Sequence, residues 1–205
     1  MSSKKMNERK QIEKKLFTMD EDIRNALDTL RRGGVILYPT DTVWGIGCDA
    51  TNEAAVARVF ALKRRADSKA MLTLIDSTAK LSGYVDEIPD VAYDLIEMSD
   101  KPLTIIYSGA KNLARNLLAD DGSVGIRVTN ERFSKCLCER FHKPIVSTSA
   151  NISGEPAPQT FAEISDEVRA AVDYICTTRR DEAATARPSS IIKLGAHAEV
   201  QVIRP

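Results

Sequence analysis

Lys63 and Arg65 close the segment "ALKRR" at the end of a helical pattern, "NEAAVARVFALKRR". Val56, Val59 and Phe60 define the apolar stripe, and Lys63, seven residues after Val56, continues it at about 3.6 residues per turn. A cation thus points where apolar side chains point. Arg64 is accounted for by a helix C-terminus, whose dipole favours a positive charge. For Lys63 and Arg65 two readings stand level: the same dipole role with a snorkelling ammonium, or a ligand contact.

A second polar group ends an apolar strand in "KPIVSTSANISGEP": Ser147, Thr148, Ser149 and Asn151 can bind phosphate oxygens, a carboxylate or a base edge. A capped turn explains one of these hydroxyls more easily than three. Ligands of open α/β sheets sit just beyond strand ends of this kind. Arg127, within "VGIRV", alternates with apolar neighbours and needs an acidic partner or an anionic ligand unless its face is exposed.

The stretch "YPTDTVWGIGCDA", residues 38–50, admits three readings. Gly45, Gly47 and Ala50 fit a dinucleotide fingerprint, with Asp76 ending the next strand as a ribose-binding acid. Pro39 to Thr42 intervene between the strand and the glycines, however, where the fingerprint needs its first glycine at the strand end. A phosphate loop fails because no Lys-Ser/Thr follows the glycines. The third reading is a turn, with Pro, Asp and Gly as turn formers and the threonines capping local backbone.

The elements that must position these groups are legible in part. Asp20 is expected to cap a helix over "EDIRNALDTLRR", with Ile23, Ala26, Leu27 and Leu30 as its stripe and Gly33-Gly34 as its end. Thr51 is expected to cap the helix that ends at Lys63, and "VILY" and "MLTLI" complete a strand-helix-strand unit around it. Further strands are expected at "LTIIY", "VGIRV", "PIVST", "DYIC", "SSIIKL" and "EVQVIR", with helices near 89–99, at 131–141 and at 160–171. Phe133, Leu137 and Phe141 form a core stripe. The class is α/β, a mixed sheet with helices on its faces. "TTRRDEAATARPSS" is the one loop long enough to act as a lid.

The chain has 205 residues, enough for one domain, read as 19–205 after a charged N-terminal extension over 1–18. Lys plus Arg and Asp plus Glu both number 29, so any anion site must be local. No apolar run is long enough for a membrane span and the start lacks a secretion signal, so a cytoplasmic protein is expected. Cys48, Cys136, Cys138 and Cys176 form no CxxC pair and read as reduced structural thiols, leaving no metal site predicted.

Taken in order, "GGVILYPTDTVWGIGCDA", Lys63-x-Arg65, "KPLTIIYSG", "VGIRV", Ser149-x-Asn151, "RPSSII" and "VIRP" make the chain resemble the YrdC/Sua5 family from about residue 20 to its end. Within that family it is most similar to the members that make threonylcarbamoyl-AMP. The resemblance implies a twisted, open, mixed sheet around a concave positive cleft. It implies condensation of L-threonine, bicarbonate and ATP into threonylcarbamoyl-adenylate and pyrophosphate, with Mg2+. The product would feed t6A modification of tRNA position 37 through separate transferase machinery, with tRNA or double-stranded RNA as a further contact.

By matched position, the resemblance puts Thr40, Arg127, Ser147 and Ser189 on threonine. It puts Lys63 and Arg65 at the reacting bicarbonate and triphosphate, and Lys69, Ser123, Ser149, Asn151 and Arg204 on the nucleotide. Catalysis would then rest on positioning and charge neutralisation, in keeping with the placement of both histidines, His142 and His197, outside these motifs. Trp44 stands where the family usually has Tyr, Ala66 and Ala70 replace prolines, and Lys69 replaces a common Asn. The stop at Arg204-Pro205 reads as the short form, without the linker and C-terminal Sua5 domain. Two other functions fit parts of the pattern: a non-catalytic RNA-binding protein of the same fold and a nicotinamide oxidoreductase.

Overall fold

The computed structural model describes residues 18–64, 71–182, 188–195 and 199–205. Nine strands form one mixed sheet among these residues: β1 (Ile36–Tyr38), β2 (Gly45–Gly47), β3 (Leu72–Ile75), β4 (Leu103–Tyr107), β5 (Val124–Val128), β6 (Ile145–Ser149), β7 (Tyr174–Ile175), β8 (Ser190–Leu194) and β9 (Val200–Arg204). Their spatial order is β7-β1-β2-β6-β3-β5-β4-β8-β9. The flanking helices are α1 (18–31), α2 (Glu53–Lys63), α3 (Val91–Glu97), α4 (Arg132–Phe141) and α5 (Asp166–Ala171).

The expected strands are present with shifts of a residue or two, and β2 is an addition. Its sequence, Gly-Ile-Gly, has low strand propensity, but antiparallel pairing with β1 on one side and β6 on the other makes it a strand. The expected strand-helix-strand unit is consequently split. β1 and β3 are not neighbours; β2 and β3 both pair antiparallel with β6, one on each side, and α2 connects them.

Helix boundaries also differ at three points. Residues 18 and 19 are already helical, so Asp20 does not cap α1 and instead pairs with Arg140 at 3.2 Å. Asn52, not Thr51, caps α2, its Oδ1 accepting from the backbone N–H of Ala54 (3.0 Å) and Ala55 (3.1 Å). Thr51 donates its hydroxyl to Asp49 at 2.6 Å. The helix expected over 160–171 breaks into a 3-10 turn at Phe161–Glu163 and α5, because Ile164 and Ser165 are extended and Ser165 caps Val168 N–H.

Alternation along β4 and β5 divides the sheet into two faces. Ile105, Tyr107, Val124 and Ile126 pack in a cluster with Leu81, Val85 and Ala92. Thr104, Gly125 and Arg127 fall on the opposite face by the two-residue period of a strand. A larger cluster holds the α1 stripe of Ile23, Ala26, Leu27 and Leu30, with Val56, Phe60, Phe133 and Leu137 from α2 and α4. The second face of β5 is therefore the one left for a site.

Candidate active site

Lys63, on the last turn of α2, is only 3 % exposed. Its Nζ donates to the carbonyl of Ser149 at 2.6 Å and to Asn151 Oδ1 at 3.1 Å, with Ser149 Oγ at 3.4 Å. The polar turn after β6 is fixed in return: Asn151 Nδ2 donates to Glu155 O at 2.7 Å, and Ser153 N–H to the Lys63 carbonyl at 2.9 Å. Two motifs far apart in sequence thus meet. Arg65 and Lys69 lie outside the described residues.

A cavity of about 580 Å3 opens beside this cluster. Six of the residues assigned through the resemblance line it, Thr40, Arg127, Ser147, Ser149, Ser189 and Arg204, together with Thr148 of the polar group in β6. Arg127 and Arg204 are its charged side chains, and no carboxylate stands among the described residues of its wall. Lys63 and Asn151 adjoin it through Ser149. Ser123 does not line it: buried just before β5, it lies four residues from Arg127, or about 13 Å along an extended strand.

The Thr40 turn forms one rim. Thr40 Oγ1 donates to Val43 O at 2.7 Å and accepts from Thr42 N–H at 3.1 Å. Its proton is therefore committed locally, and it faces a ligand with at most one free lone pair. The capped turn expected from the sequence and a place in the cavity wall coexist at this residue. The next residue, Asp41, reaches Arg127, whose Nη2 lies 2.9 Å from Oδ1. The approach is short but not aligned as a hydrogen bond, since Asp41 Oδ1 has no hydrogen-bond partner among the described residues. Burial pushes the Asp41 carboxyl above its ordinary range, against the pull of Arg127, and burial lowers the Arg127 guanidinium.

Arg204 forms the other rim by way of a bulge. Val202 pairs with Ile192, yet Arg204 pairs with Ile191, so one extra residue, Ile203, is absorbed in β9. Arg204 stays aligned with the cavity side of β8. Its Nε donates to Ser189 O at 2.8 Å and Nη2 to Ser189 Oγ at 3.2 Å, while Ser189 Oγ lies 3.1 Å from Thr104 Oγ1.

The family model Sua5_yciO_yrdC, described as "Telomere recombination", matches residues 28–205. The chain belongs to the Sua5/YciO/YrdC family. A threonylcarbamoyl-AMP synthase of Pseudoalteromonas translucida is 37 % identical over 74 % of this chain and 83 % of its own. A second, of Xanthomonas euvesicatoria, is 32 % identical over 83 % and 91 %. Among solved structures, P. abyssi Sua5 complexed with L-threonine has 27 % identity and a TM-score of 0.78, covering 89 % of this chain and 53 % of that one. The chain thus spans about half of that Sua5. E. coli YciO has 27 % identity and a TM-score of 0.77, covering 89 % and 87 %.

In this Sua5/YciO/YrdC chain the glycines of the dinucleotide pattern have a structural task. Gly45 and Gly47 lie within β2, well before α2. A Cβ on Gly47 would come within 2.7 Å of Tyr38 Cε1 and 2.8 Å of Val146 O. The glycines admit the Tyr38 ring and a neighbouring strand, and the helix-terminus geometry of a pyrophosphate site is absent there.

The family resemblance did not carry Thr104 and Gln159, which line the cavity. Trp44, within the "YPTDTVWGIG" stretch that carries the resemblance, lines it too and packs on Phe161 with centroids 4.9 Å apart. Arg180 stacks over the same Phe161 ring, 4.6 Å from its centroid. Of the loop read as a lid, residues 183–187 lie outside the described residues, whereas its start is anchored. Asp22 of α1, 1 % exposed, accepts from the backbone N–H groups of Thr177 and Thr178 and from the Tyr174 hydroxyl at 2.6 Å. Burial pushes this carboxyl up, but the hydrogen bonds from Thr178, Tyr174 and Thr177 together hold it below its ordinary value. Arg179 then donates to Thr40 O at 3.1 Å and pairs with Glu131 at 3.2 Å, tying the lid's root to the cavity rim.

Proposed function

We propose that this chain condenses L-threonine, bicarbonate and ATP into threonylcarbamoyl-AMP, pyrophosphate and water; that two relatives carry the name threonylcarbamoyl-AMP synthase supports the product. The observation that carries the reading is the convergence of Lys63 with Ser149 and Asn151 beside a cavity walled by Arg127, Arg204 and hydroxyls. Threonine's amine adds to the carbon of bicarbonate, whose C–OH bond breaks to release water with an amine proton, or to CO2, where a C=O π bond opens and the proton is lost; either gives the carbamate. A carbamate oxygen then attacks the α-phosphorus, and pyrophosphate leaves.

Each step gathers anions, so the protein's task is to hold them in line and offset their charge. Arg127 offers a fork to the amino acid's carboxylate, with Thr40, Ser147 and Ser189 around it. Lys63 supplies a point charge toward bicarbonate and the phosphates, with Arg65 and Lys69 assigned the same side. Ser149 and Asn151 hold Lys63 and the nucleotide, and Arg204 closes on phosphate. Ser123 lies outside the cavity wall, and no role on the nucleotide is proposed for it.

No carboxylate stands among the described residues of the cavity wall, and among the described residues no three His, Cys, Asp or Glu side chains group together. Mg2+ would arrive on the phosphates of ATP. The product would pass to the tRNA t6A machinery, and a cytoplasmic location is part of the same proposal. Among the described residues no helix is long and apolar enough to cross a membrane.

Mass spectrometry of a reaction containing ATP, threonine and bicarbonate tests the proposal. An adenylate that appears only with all three supports it. RNA binding with a steep salt dependence and no turnover would replace it with the RNA-binding reading.

A further inference from the structure

Asp41 reaches Arg127 from behind. Arg127 lines the substrate cavity, whereas Asp41 borders a separate hollow of about 170 Å3 with Ser99, Lys101, Asn130 and Glu131. Arg127 is 2 % exposed, and its Nε, sealed from solvent, has no hydrogen-bond partner among the described residues. Asp41 approaches through Nη2, and no aligned hydrogen bond from the guanidinium to the described residues is present, so its two-pronged capacity is not used up by them.

The carrier of Asp41 is also fixed. Its turn is closed by Thr40 Oγ1 on Val43 O, by Thr42 N–H on Thr40 Oγ1, and from outside by Arg179 on Thr40 O. One locked turn therefore sets both a hydroxyl in the cavity wall and the acid against Arg127. A carboxylate that served only as counter-charge would not need such a fixed mount, because charge neutralisation tolerates many geometries. The orientation of a planar fork does not.

We propose that Asp41 is a positioning residue, which holds the guanidinium of Arg127 from the rear so that its remaining donors meet the α-carboxylate of the amino-acid substrate. This rests on the threonine reading above. Asparagine at 41 keeps the shape of the side chain behind Arg127 without the charge, and alanine removes both, so the two variants grade the effect.

The test is steady-state kinetics of wild type, Asp41→Asn and Asp41→Ala, varying threonine at saturating ATP and bicarbonate and then the reverse, alongside melting temperatures. Asp41→Asn should raise the KM for threonine about tenfold, and Asp41→Ala further, with kcat and the KM for ATP within about twofold of wild type. Should Asp41→Ala fail to fold, Asp41→Asn alone decides. An unchanged or lowered threonine KM in Asp41→Asn, or equal rises for threonine and ATP, overturns the role and leaves Asp41 a stabilising counter-ion. A wild-type chain that makes no adenylate overturns the functional reading itself and this role with it.

Discussion

The ammonium of Lys63 and the amide oxygen of Asn151 lie 3.1 Å apart, although the two residues are 88 positions apart in the chain. Removing this ammonium leaves a carbonyl and an amide oxygen short of a donor, a loss of about 1–3 kcal/mol in stability. Its absence from the reacting anions is the larger effect. Lys63→Ala is expected to lower threonine-dependent pyrophosphate release at least about 100-fold. Circular dichroism of the same preparation should show the fold retained, and near-normal turnover would remove Lys63 from the chemistry.

Lys63 was legible because a lysine in phase with Val56, Val59 and Phe60 violates the pattern of an amphipathic helix. The polar run after β6 and the arginine inside β5 were visible for similar reasons. β2 was not, since Gly-Ile-Gly carries no strand signal and becomes one through its neighbours on both sides. Asp41 read as a turn former, and nothing local indicates that its carboxylate meets Arg127. Asp22 was hidden more deeply: it resembles any acid near a helix start, and its partners lie about 155 residues on.

The two glycines of β2 should separate stability from substrate binding. A methyl at 47 meets a ring carbon at 2.7 Å and a carbonyl oxygen at 2.8 Å, where one contact is backbone and cannot yield cheaply. Gly47→Ala is expected to cost about 1–3 kcal/mol in urea denaturation. At 45 the nearest atoms are 3.0–3.4 Å away, and the residue lines the cavity. Gly45→Ala should lower stability less and weaken substrate binding more, read as melting temperature against KM.

Asp22 predicts a pH dependence with a definite sign. Its carboxyl is held below the ordinary value in the folded chain, so its stabilisation is fully present above the unfolded aspartate pKa of about 3.9. That contribution is lost as pH falls through the lower, folded value. Asp22→Asn should cost about 2–4 kcal/mol at neutral pH, because the acceptor loses its charge and one of its oxygens while the Thr177 and Thr178 donors remain. The difference in unfolding free energy from wild type should shrink below about pH 4. A gap that stays constant down to acid unfolding would contradict this account.

Arg127 and Arg204 stand on one cavity but should respond in opposite ways. Arg127 rises from the middle of the sheet on β5 and is buried, with Asp41 behind it. Arg204 sits on the edge strand, turned by the Ile203 bulge and hydrogen-bonded to Ser189 at the rim. A deep fork suits a small carboxylate and a cation at the rim suits phosphates reaching toward solvent. Arg127→Lys keeps the charge beside Asp41 but loses the fork, so the threonine KM should rise about tenfold with a smaller change for ATP. Arg204→Ala should raise the ATP requirement by a similar factor and leave the threonine KM nearly unchanged. The reverse ranking in both variants would exchange the two subsites, placing the nucleotide's phosphates at the centre of the sheet and the amino acid at its edge.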